Sequence, residues 1–349
     1  MDKTYRIRFG VSRYDNRKSK TRTDPSRSIQ NRKWFALVVF LFALSFPAHG
    51  AQRELQKLTV GYTPISGAAL PFFIAVEEKL FQKYGIEVSP VFMGGSPLIN
   101  SAILAGEFPI GYTAGGAVLS SRLSGSDLIV IGSPLPVLAI DAWARPEIKS
   151  VSDVRGKRIG VTRFGASTHF AGLAMLDSAG IKPNEVVFIQ NGGVGESLAA
   201  LLGGRVDVSL LGYPFGLNAK KAGFNLLFRP SQTEYGLFPT AAVAARESWL
   251  KDAKNRRLAM DFLRPLHEAL QLIRESATAT KRALKKFTRV DDEALLQGSF
   301  EFYREVYPST LRTAEKVMAN ALKFIDHPKA KQADVKQSFD NSLVDEAMK

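Results

Sequence analysis

Small, hydroxyl-bearing and glycine residues follow the predicted strands of this chain, at the points where predicted helices begin. They occupy the stretches Ser66-Gly67, Gly95-Ser96, 113–115, 163–168, 193–195 and Gly212-Tyr213. Backbone N–H groups at the start of a helix attract anions, and Arg163 would add a charge-assisted fork to a carboxylate, sulfonate or phosphate-like group. The predicted ligand-binding residues are therefore Ser66, Gly67, Ser96, Thr113, Gly115, Arg163, Ser167, Thr168 and Tyr213, with no catalytic or metal-binding residue predicted.

Each of these residues also has a purely structural interpretation. Ser167 can cap its helix without touching a ligand, and the pairs Gly94-Gly95 and Gly192-Gly193 can simply permit tight turns. Arg163 can be solvated or paired with a carboxylate, and Tyr213 can be a packing residue. The convergence of many such residues, more than any one of them, predicts a binding site.

Aromatic residues offer a different ligand chemistry. The walls of a pocket for an aromatic or heterocyclic molecule could be formed by Phe72, Phe164, Phe170, Tyr213 and Tyr235. The sequence leaves the choice between an anion and a heterocycle open. His169 lies one turn into a predicted helix, where a surface or core position is a better interpretation than a catalytic one.

Motifs of common enzymes are absent from the 349 residues. There is no Gly-x-Ser-x-Gly nucleophile elbow, no phosphate-binding P-loop and no His-Glu-x-x-His zinc motif. The four histidines show no metal-ligand spacing, and no cysteine is present. A disulfide framework, a thiolate metal site, a cysteine nucleophile and lipid attachment through an N-terminal cysteine are thereby excluded. The sequence predicts a binding protein without a cofactor rather than an enzyme.

Three sequence landmarks occur twice, in the same order and about 98 residues apart. Val60-Gly61-Tyr62-Thr63 corresponds to Ile159-Gly160-Val161-Thr162, and Gly94-Gly95 corresponds to Gly192-Gly193. The stretch 102–107 corresponds to 200–205. Three matches in register indicate two similar lobes, and two similar lobes imply a cleft between them.

Strands alternate with helices in both halves of the chain. Strands are predicted at 57–62, 86–92, 110–112, 128–131, 158–162, 186–189 and 206–211. Pro71 and Gly85 are placed to begin and end one helix, another covers 167–179, and the chain is mostly helical after Arg246. This order predicts an α/β fold of parallel sheets joined by right-handed crossovers. Ligands of such sheets bind beyond the carboxyl ends of the strands, where the predicted site residues lie.

The first 50 residues are typical of an export signal. Arg32 and Lys33 precede an apolar run from Trp34 to Phe46, and small residues follow it. The run of 13 residues is too short for a membrane-spanning helix of ~20 residues. An uncleaved anchor or a buried strand is the alternative interpretation. We expect a cleaved signal over residues 1–50 and a periplasmic protein without a lipid anchor.

The positive charge is concentrated in this same segment. Residues 1–50 carry 11 Lys or Arg against 3 Asp or Glu, which is more than half of the net charge of +14. The rest of the chain is mildly basic and has no basic stretch long enough to indicate nucleic-acid binding. No nucleic-acid partner is therefore expected.

Several segments resemble the periplasmic solute-binding proteins of ABC importers. In the first half the likeness rests on Gly61-Tyr62, on 75–81 followed by Gly85-Ile86, and on 102–107; in the second it rests on 154–161 and 199–207. Within these proteins the chain is similar to the sulfonate-, taurine- and nitrate-binding group that includes the NMT1/THI5-like proteins. The resemblance runs from about Leu58 to Leu250 and more weakly to the end.

The resemblance implies a two-lobed, type II periplasmic-binding-protein fold, in which each lobe is a doubly wound sheet with flanking helices. Lobe I would comprise 55–145 and 240–349, and lobe II would comprise 150–235. The chain would cross between them near 142–150 and return near 231–241. Such proteins close on a small molecule by hinge motion, and the closed form docks on an ABC permease. We expect a monomer.

The ligand that this resemblance implies is a sulfonate, a carboxylate, a nitrate-like anion or a pyrimidine. One alternative is an enzyme on the same fold, related to thiamine-pyrimidine synthesis, but such enzymes use a cysteine-rich motif that this chain lacks. A ligand-binding sensor component is the other alternative. Pro109 stands where the group often has an acidic residue, whereas Asp207 retains that residue in the second half. Whether Pro109 alters the site is left open.

Overall fold

Two five-stranded sheets form the framework of the described residues. The computed structural model describes residues 54–349, so the predicted signal at 1–50 lies outside the described residues. The first sheet consists of β1 (Gln56–Tyr62), β2 (Ile86–Phe92), β3 (Ile110–Thr113), β4 (Leu128–Val137) and β10 (Leu237–Arg246). The second sheet consists of β5 (Asp141–Ala144), β6 (Arg158–Val161), β7 (Val187–Gln190), β8 (Val208–Leu211) and β9 (Asn225–Phe228).

The two sheets share one strand arrangement. The order is β2-β1-β3-β10-β4 in the first and β7-β6-β8-β5-β9 in the second. In the first, β1 pairs in parallel with β2 and β3, while β10 is antiparallel to β3 and β4. In the second, β6 pairs in parallel with β7 and β8, while β5 is antiparallel to β8 and β9. The sequence repeat thus corresponds to a structural repeat, with Val60 in β1 and Ile159 in the equivalent β6.

Both sheets are mixed, which corrects the expectation of wholly parallel sheets. The antiparallel strand of each sheet arrives from the other sheet, because β5 follows β4 and β10 follows β9. Neither strand is reached by a helical crossover within its own sheet, so nothing requires it to run parallel to its neighbours. The remaining strands of each sheet run in one direction, as predicted.

The chain passes between the sheets over two connections. The first joins Val137 to Asp141, and the second joins Phe228 to Leu237. Strand β5 pairs within the second sheet, although the sequence predicts residues up to 145 in lobe I and a first crossing at 142–150. The difference arises because β5 is only four residues long and no glycine separates it from β4. The expected return at 231–241 overlaps the second connection.

Helices cover both sheets. Those among the first-sheet strands are α1 (Leu70–Glu77), α2 (Leu80–Lys83), α3 (Ser96–Ala105) and α4 (Gly115–Leu123). Those among the second-sheet strands are α5 (Ser167–Ser178), α6 (Val194–Leu202) and α7 (Phe215–Lys221). After β10 come α8 (Glu247–Leu250), α9 (Ala253–Glu275), α10 (Ala277–Thr288), α11 (Glu293–Val306), α12 (Glu315–Leu322) and α13 (Ser342–Ala347). Helix α9 packs against α1, and α12 packs against β10.

Local sequence signals explain several of these elements. Pro71 lies in the first turn of α1, and Gly85 adopts a φ of 77° after α2, a conformation that glycine reaches without strain. Lys79 also has a positive φ, of 54°, which divides the single predicted helix into α1 and α2.

Apolar residues that recur at helical spacing in the carboxyl-terminal part lie in the core. Phe262, Leu266, Leu270 and Ile273 on α9 are fully buried. Burial of each such side chain contributes roughly 1.5–3 kcal/mol, so this stripe holds α9 on the first sheet. No helix within residues 54–349 is both long enough and apolar enough to cross a bilayer.

Candidate functional site

A small cavity lies where the carboxyl ends of the parallel strands of the two sheets face each other. Its lining residues are mostly small, and none carries a charge: Thr63, Pro64, Ser66, Gly95, Ser96, Ile140, Thr162, Ala166, Ser167, Thr168, Val194, Gly212 and Thr240. Its volume of about 20 Å³ gives space for the centre of roughly one water molecule. Both sheets and the first connection contribute to the wall.

Three helices begin at this cavity. Ser96 is the first residue of α3, Ser167 is the first of α5, and Val194 is the first of α6. A helix presents unpaired N–H groups and the positive end of its dipole at its start. The cavity is therefore surrounded by hydrogen-bond donors and partial positive charge, although no lining side chain is ionised.

Four of the nine predicted ligand-binding residues line the cavity, namely Ser66, Ser96, Ser167 and Thr168. Three of them, Ser66, Thr168 and Ser167, also have side-chain partners within the protein, and the partner of Ser167 is described below. The hydroxyl of Thr168 accepts from the Thr162 N–H at 2.9 Å and bonds the Thr162 hydroxyl at 2.8 Å. Ser66 accepts from the N–H of Ala68, which caps a short 3-10 turn. These positions agree with a binding role, which stays a prediction.

The other predicted residues lie behind or beside the cavity wall. The N–H of Gly67 donates to the Tyr213 carbonyl at 2.8 Å, and the Thr113 hydroxyl donates to Asn100 Oδ1 at 3.0 Å. Gly115 leaves room for a neighbouring ring, because a Cβ there would lie 2.6 Å from Cβ of Pro239. The structure therefore gives each of these residues a protein partner.

Arg163 bridges the two sides of the cleft. Its Nε donates to the carbonyl of Gly94 at 3.0 Å, and its side chain packs closely against Gly95. The sequence analysis left open a solvated side chain, a carboxylate partner or an anionic ligand. The partner seen for Nε is a backbone carbonyl of the other half of the repeat.

Polar contacts join the first-sheet side of the cleft to the second-sheet side. Besides Gly67–Tyr213 and Arg163–Gly94, the Ser167 hydroxyl donates to the carbonyl of Thr240 at 3.0 Å. The repeated glycine pairs meet here, since a Cβ on Gly94 would lie 2.6 Å from the carbonyl oxygen of Gly192. The cleft is closed in this structure, and the glycines permit the close approach.

A buried ion pair supports Tyr213 from the second-sheet side. Asp141 is 2% exposed and accepts from Arg229 Nε and Nη2 at 3.0 and 2.9 Å and from the Tyr213 hydroxyl at 2.9 Å. Burial raises the pKa of the Asp141 carboxyl, and the hydrogen bonds and charge of Arg229 oppose that rise. Asp141 begins β5 after the first connection, and Arg229 directly follows β9 at the start of the second, so the pair ties the two connections together.

The aromatic candidates lie outside the cavity lining. Phe72 is buried in the first-sheet core, and Phe164 is 47% exposed. Phe170 packs against the ring of Phe238, and the Tyr235 hydroxyl donates to Asp177. The closed cavity thus has no aromatic wall.

His169 packs into the second-sheet side rather than the cavity. Its ring contacts the rings of Phe164 and Phe188, and Nδ1 accepts from the Gly165 N–H. Burial lowers the pKa of His169 to about 4 because the apolar surroundings disfavour the charged ring. These contacts agree with the surface or core position that the sequence favours over a catalytic one.

Five lining residues were not singled out from the sequence: Thr63, Pro64, Ile140, Thr162 and Thr240. The repeat carried the signal for two of them, because Thr63 and Thr162 end its first landmark in each half. Ile140 lies in the first connection and Thr240 lies within β10, and no motif marks either residue. Pro109 lies at the opposite end of β3, in a separate pocket with Phe108 and Trp249, so it does not line the cavity.

Metal binding finds no support in the part of the chain that the structure describes, where no group of three His, Asp or Glu side chains could hold an ion.

Comparison with known proteins defines the class of protein to which this geometry belongs. Two mixed sheets with flanking helices and a cavity at their strand ends are the fold of the periplasmic binding proteins. The chain belongs to the NMT1/THI5-like family, whose model matches residues 67–279. The family resemblance and the fold class predicted from sequence are confirmed.

Curated relatives are distant. A candidate binding protein of Brucella abortus (strain 2308) is 26% identical over 212 residues, which are 59% of this chain and 64% of that relative. The chain thus spans less than two thirds of the length of that relative. The riboflavin-binding protein RibY of Chloroflexus aurantiacus is 26% identical over 289 residues, which are 80% of this chain and 75% of the relative.

Solved structures share the fold at low identity. A protein of Bordetella bronchiseptica RB50 superposes with a TM-score of 0.76 and 20% identity, covering 84% of this chain and 97% of that one. The alkanesulfonate-binding protein SsuA of Xanthomonas axonopodis pv. citri, bound to MOPS, gives a TM-score of 0.65 and 18% identity, covering 84% and 98%.

Proposed function

We propose that this chain is the extracytoplasmic solute-binding component of an ABC importer, and that it encloses a small oxyanion between its two sheets. The observation that carries the proposal is the cavity at which α3, α5 and α6 begin, lined by hydroxyl groups and free of charged side chains. Helix N-termini and hydroxyls supply the donors that a sulfonate, carboxylate or nitrate-like ion accepts from.

Two lobes joined by a hinge would perform the capture. We assign the first sheet with α1–α4 and α8–α13 to lobe I, and the second sheet with α5–α7 to lobe II. The connections 138–140 and 229–236 would be the hinge. Closure brings Ser66 and α3 of one lobe to α5 and α6 of the other, so a solute completes its hydrogen bonds only in the closed form. Solute shifts the equilibrium by that additional affinity.

An oxyanion is favoured over a pyrimidine or another heterocycle. The lining contains no aromatic ring on which a heterocycle could stack. The closed volume of about 20 Å³ gives space for the centre of only about one water molecule, so every solute needs the two sides of the cleft to lie further apart than they do here, and a compact oxyanion needs the smallest separation. Since one relative is named for riboflavin binding, riboflavin belongs among the test compounds.

The same lining supports transport rather than chemistry. No lining residue is an acid, a base or a histidine, so a hydroxyl there has no neighbour in the wall to activate it. The likeness to periplasmic binding proteins supports export to the periplasm, and with it a monomer that docks on a membrane permease in the closed form.

Calorimetric titration and thermal unfolding would test the proposal. The purified protein would be titrated with ethanesulfonate, acetate, nitrate, cytosine and riboflavin. We expect at least one oxyanion to bind, to raise the melting temperature by mass action and to reduce the radius of gyration measured by small-angle X-ray scattering. Binding of cytosine or riboflavin alone would contradict the oxyanion assignment, and binding of none would contradict solute capture for these classes.

A further inference from the structure

Thr240 carries a buried hydroxyl that no protein group satisfies. The residue is part of the cavity wall and is 2% exposed, and its Oγ1 has no hydrogen-bond partner. Buried polar atoms are nearly always paired, and an unpaired one costs free energy. An unpaired hydroxyl on a residue of the cavity wall is satisfied if a bound molecule supplies the partner.

Thr240 differs in this respect from the other unpaired buried atoms of the described residues. The others belong to Ser133, Asp141, Trp143, His267, Thr280 and Thr313. None of these side chains lines the cavity between the sheets. The coincidence of an unsatisfied hydroxyl with the three helix starts therefore occurs at Thr240 and nowhere else in 54–349.

The backbone of β10 is irregular where Thr240 enters the cavity wall. The register between β10 and β4 shifts between Leu237 and Ala241, so the residues between them depart from the regular ladder. Irregularities of this kind redirect side chains beside binding sites. Pro239, in the same stretch, packs against Gly115. This contact fixes the backbone at the residue that precedes Thr240.

The carbonyl of Thr240 is engaged at the same time. It accepts from the hydroxyl of Ser167 at 3.0 Å, and Ser167 is the first residue of α5. The bond holds the start of α5 beside Thr240. A solute that meets the Thr240 hydroxyl therefore also meets the positive end of α5.

We propose that Thr240 is a solute-binding residue, whose hydroxyl donates a hydrogen bond to an oxygen of the captured oxyanion. The proposal rests on the proposed function and adds a ligand from the strand that returns through the second connection. An oxyanion offers acceptors only, so the hydroxyl must be the donor. Thr240 would thereby select solutes that place an acceptor oxygen at this point.

Isosteric substitution tests this role. Thr240→Val removes the hydroxyl and keeps the shape, and Thr240→Ser keeps the hydroxyl. Thr280→Val is the matched control, because it removes an equally unpaired hydroxyl outside the cavity lining. Each protein would be titrated by calorimetry with ethanesulfonate, acetate and nitrate, and its melting temperature measured without solute. We expect Thr240→Val to weaken binding of the oxyanion that the wild type binds by about tenfold. Thr240→Ser and Thr280→Val should stay within threefold of the wild type.

The melting temperature without solute separates binding from structure. Because the hydroxyl has no protein partner, Thr240→Val should melt at the wild-type temperature or above it. A lower melting temperature accompanied by lost binding would instead assign Thr240 a structural role and overturn the proposal. Wild-type binding that Thr240→Val retains within threefold would also overturn it, while leaving the proposed function intact. Absence of binding to all three oxyanions by the wild type would overturn the proposed function and this proposal together.

Discussion

The backbone N–H of Gly67 donates to the carbonyl of Tyr213 at 2.8 Å, which links the turn after β1 to the turn after β8 across the cleft. The carbonyl of Gly67 is engaged too, because it accepts from the Tyr307 hydroxyl at 2.7 Å. The ring of Tyr303 covers the same residue, since a Cβ on Gly67 would lie 1.9 Å from it. Two residues predicted as ligand contacts thus hold each other in the closed form.

Gly67→Ala should disturb closure. The added methyl group cannot fit beside the Tyr303 ring, so the turn or α11 must shift and the bond to Tyr213 lengthens. Overpacking of this kind destabilises a protein by about 1–3 kcal/mol. We expect a lower melting temperature together with weaker solute binding, measured by calorimetry. Gly195→Ala is the control, because a Cβ there meets only ordinary contacts with Phe215 at 3.7 Å; an equal effect of both variants would contradict the argument.

Removal of Arg229 should expose the cost of burying the Asp141 carboxylate. Arg229→Met leaves a carboxylate that is 2% exposed without its cation, which typically destabilises by about 3 kcal/mol or more. Chemical denaturation at pH 7 would measure the loss. Asp141→Asn combined with Arg229→Met should recover part of it, because the double variant buries no charge.

The stability of Arg229→Met should also depend on pH in a defined direction. Burial raises the pKa of Asp141 in the folded state, and Arg229 opposes the rise, so removing Arg229 raises that pKa further. A carboxyl whose folded pKa lies above its unfolded pKa binds protons first in the folded state, which favours folding as the pH falls. The deficit relative to the wild type should therefore shrink between about pH 7 and pH 5. A constant deficit would mean that Asp141 stays ionised in the folded variant over this range, which would contradict the prediction.

The repeated strand and turn segments of the two sheets could be predicted from the sequence. The repeated segments 60–63 and 159–162 begin in equivalent strands and end in Thr63 and Thr162. Both threonines line the cavity. These positions can be predicted from the sequence, because glycine and hydroxyl residues rarely recur in register at strand ends without a shared structural role. Helix periodicity was equally informative, as the buried stripe from Phe262 to Ile273 shows.

The parts that sequence reasoning missed depend on long-range pairing. Strand β5 is read as a continuation of lobe I because its destination is set by its pairing with β8 and β9, not by its own residues. Thr240 is conspicuous only once the register shift in β10 and the bond from Ser167 are seen. Arg163 carries a charge that suits an anion, yet its Nε bonds the backbone carbonyl of Gly94, which is 69 residues away. Because Gly94 has no side chain, the sequence gives no signal of this contact.

His169 should make the stability fall on mild acidification. Burial lowers its pKa from 6.5 to about 4, so the unfolded chain binds the proton first and protonation favours unfolding. The stabilising contribution is complete above pH 6.5 and is lost as the pH falls towards about 4. His169→Gln keeps an acceptor for the Gly165 N–H but cannot titrate. Between these pH values the wild type should lose about 2 kcal/mol more than the variant by denaturant titration, and parallel curves would show that His169 is already solvated.

Arg163 is the residue at which closure and direct ligand contact can be separated by experiment. Its Nε is bonded to Gly94 across the cleft, so Arg163→Ala removes a contact of the closed form. Losing one such contact should weaken binding of an oxyanion about tenfold, or about 1.4 kcal/mol. The exposed Arg205 provides a control of identical charge change in Arg205→Ala, which should bind like the wild type.

Ionic strength distinguishes the two roles of Arg163. An exposed guanidinium that contacts the anion contributes a Coulombic attraction that salt screens, with a Debye length of about 10 Å at 0.1 M. A bond to a backbone carbonyl contributes through closure and is screened much less. If Arg163 acts by closure, the affinity ratio of wild type to Arg163→Ala should stay the same from low to high salt. A ratio that collapses at high salt would make Arg163 a direct ligand of the anion, and an unchanged affinity at all salt concentrations would exclude both roles.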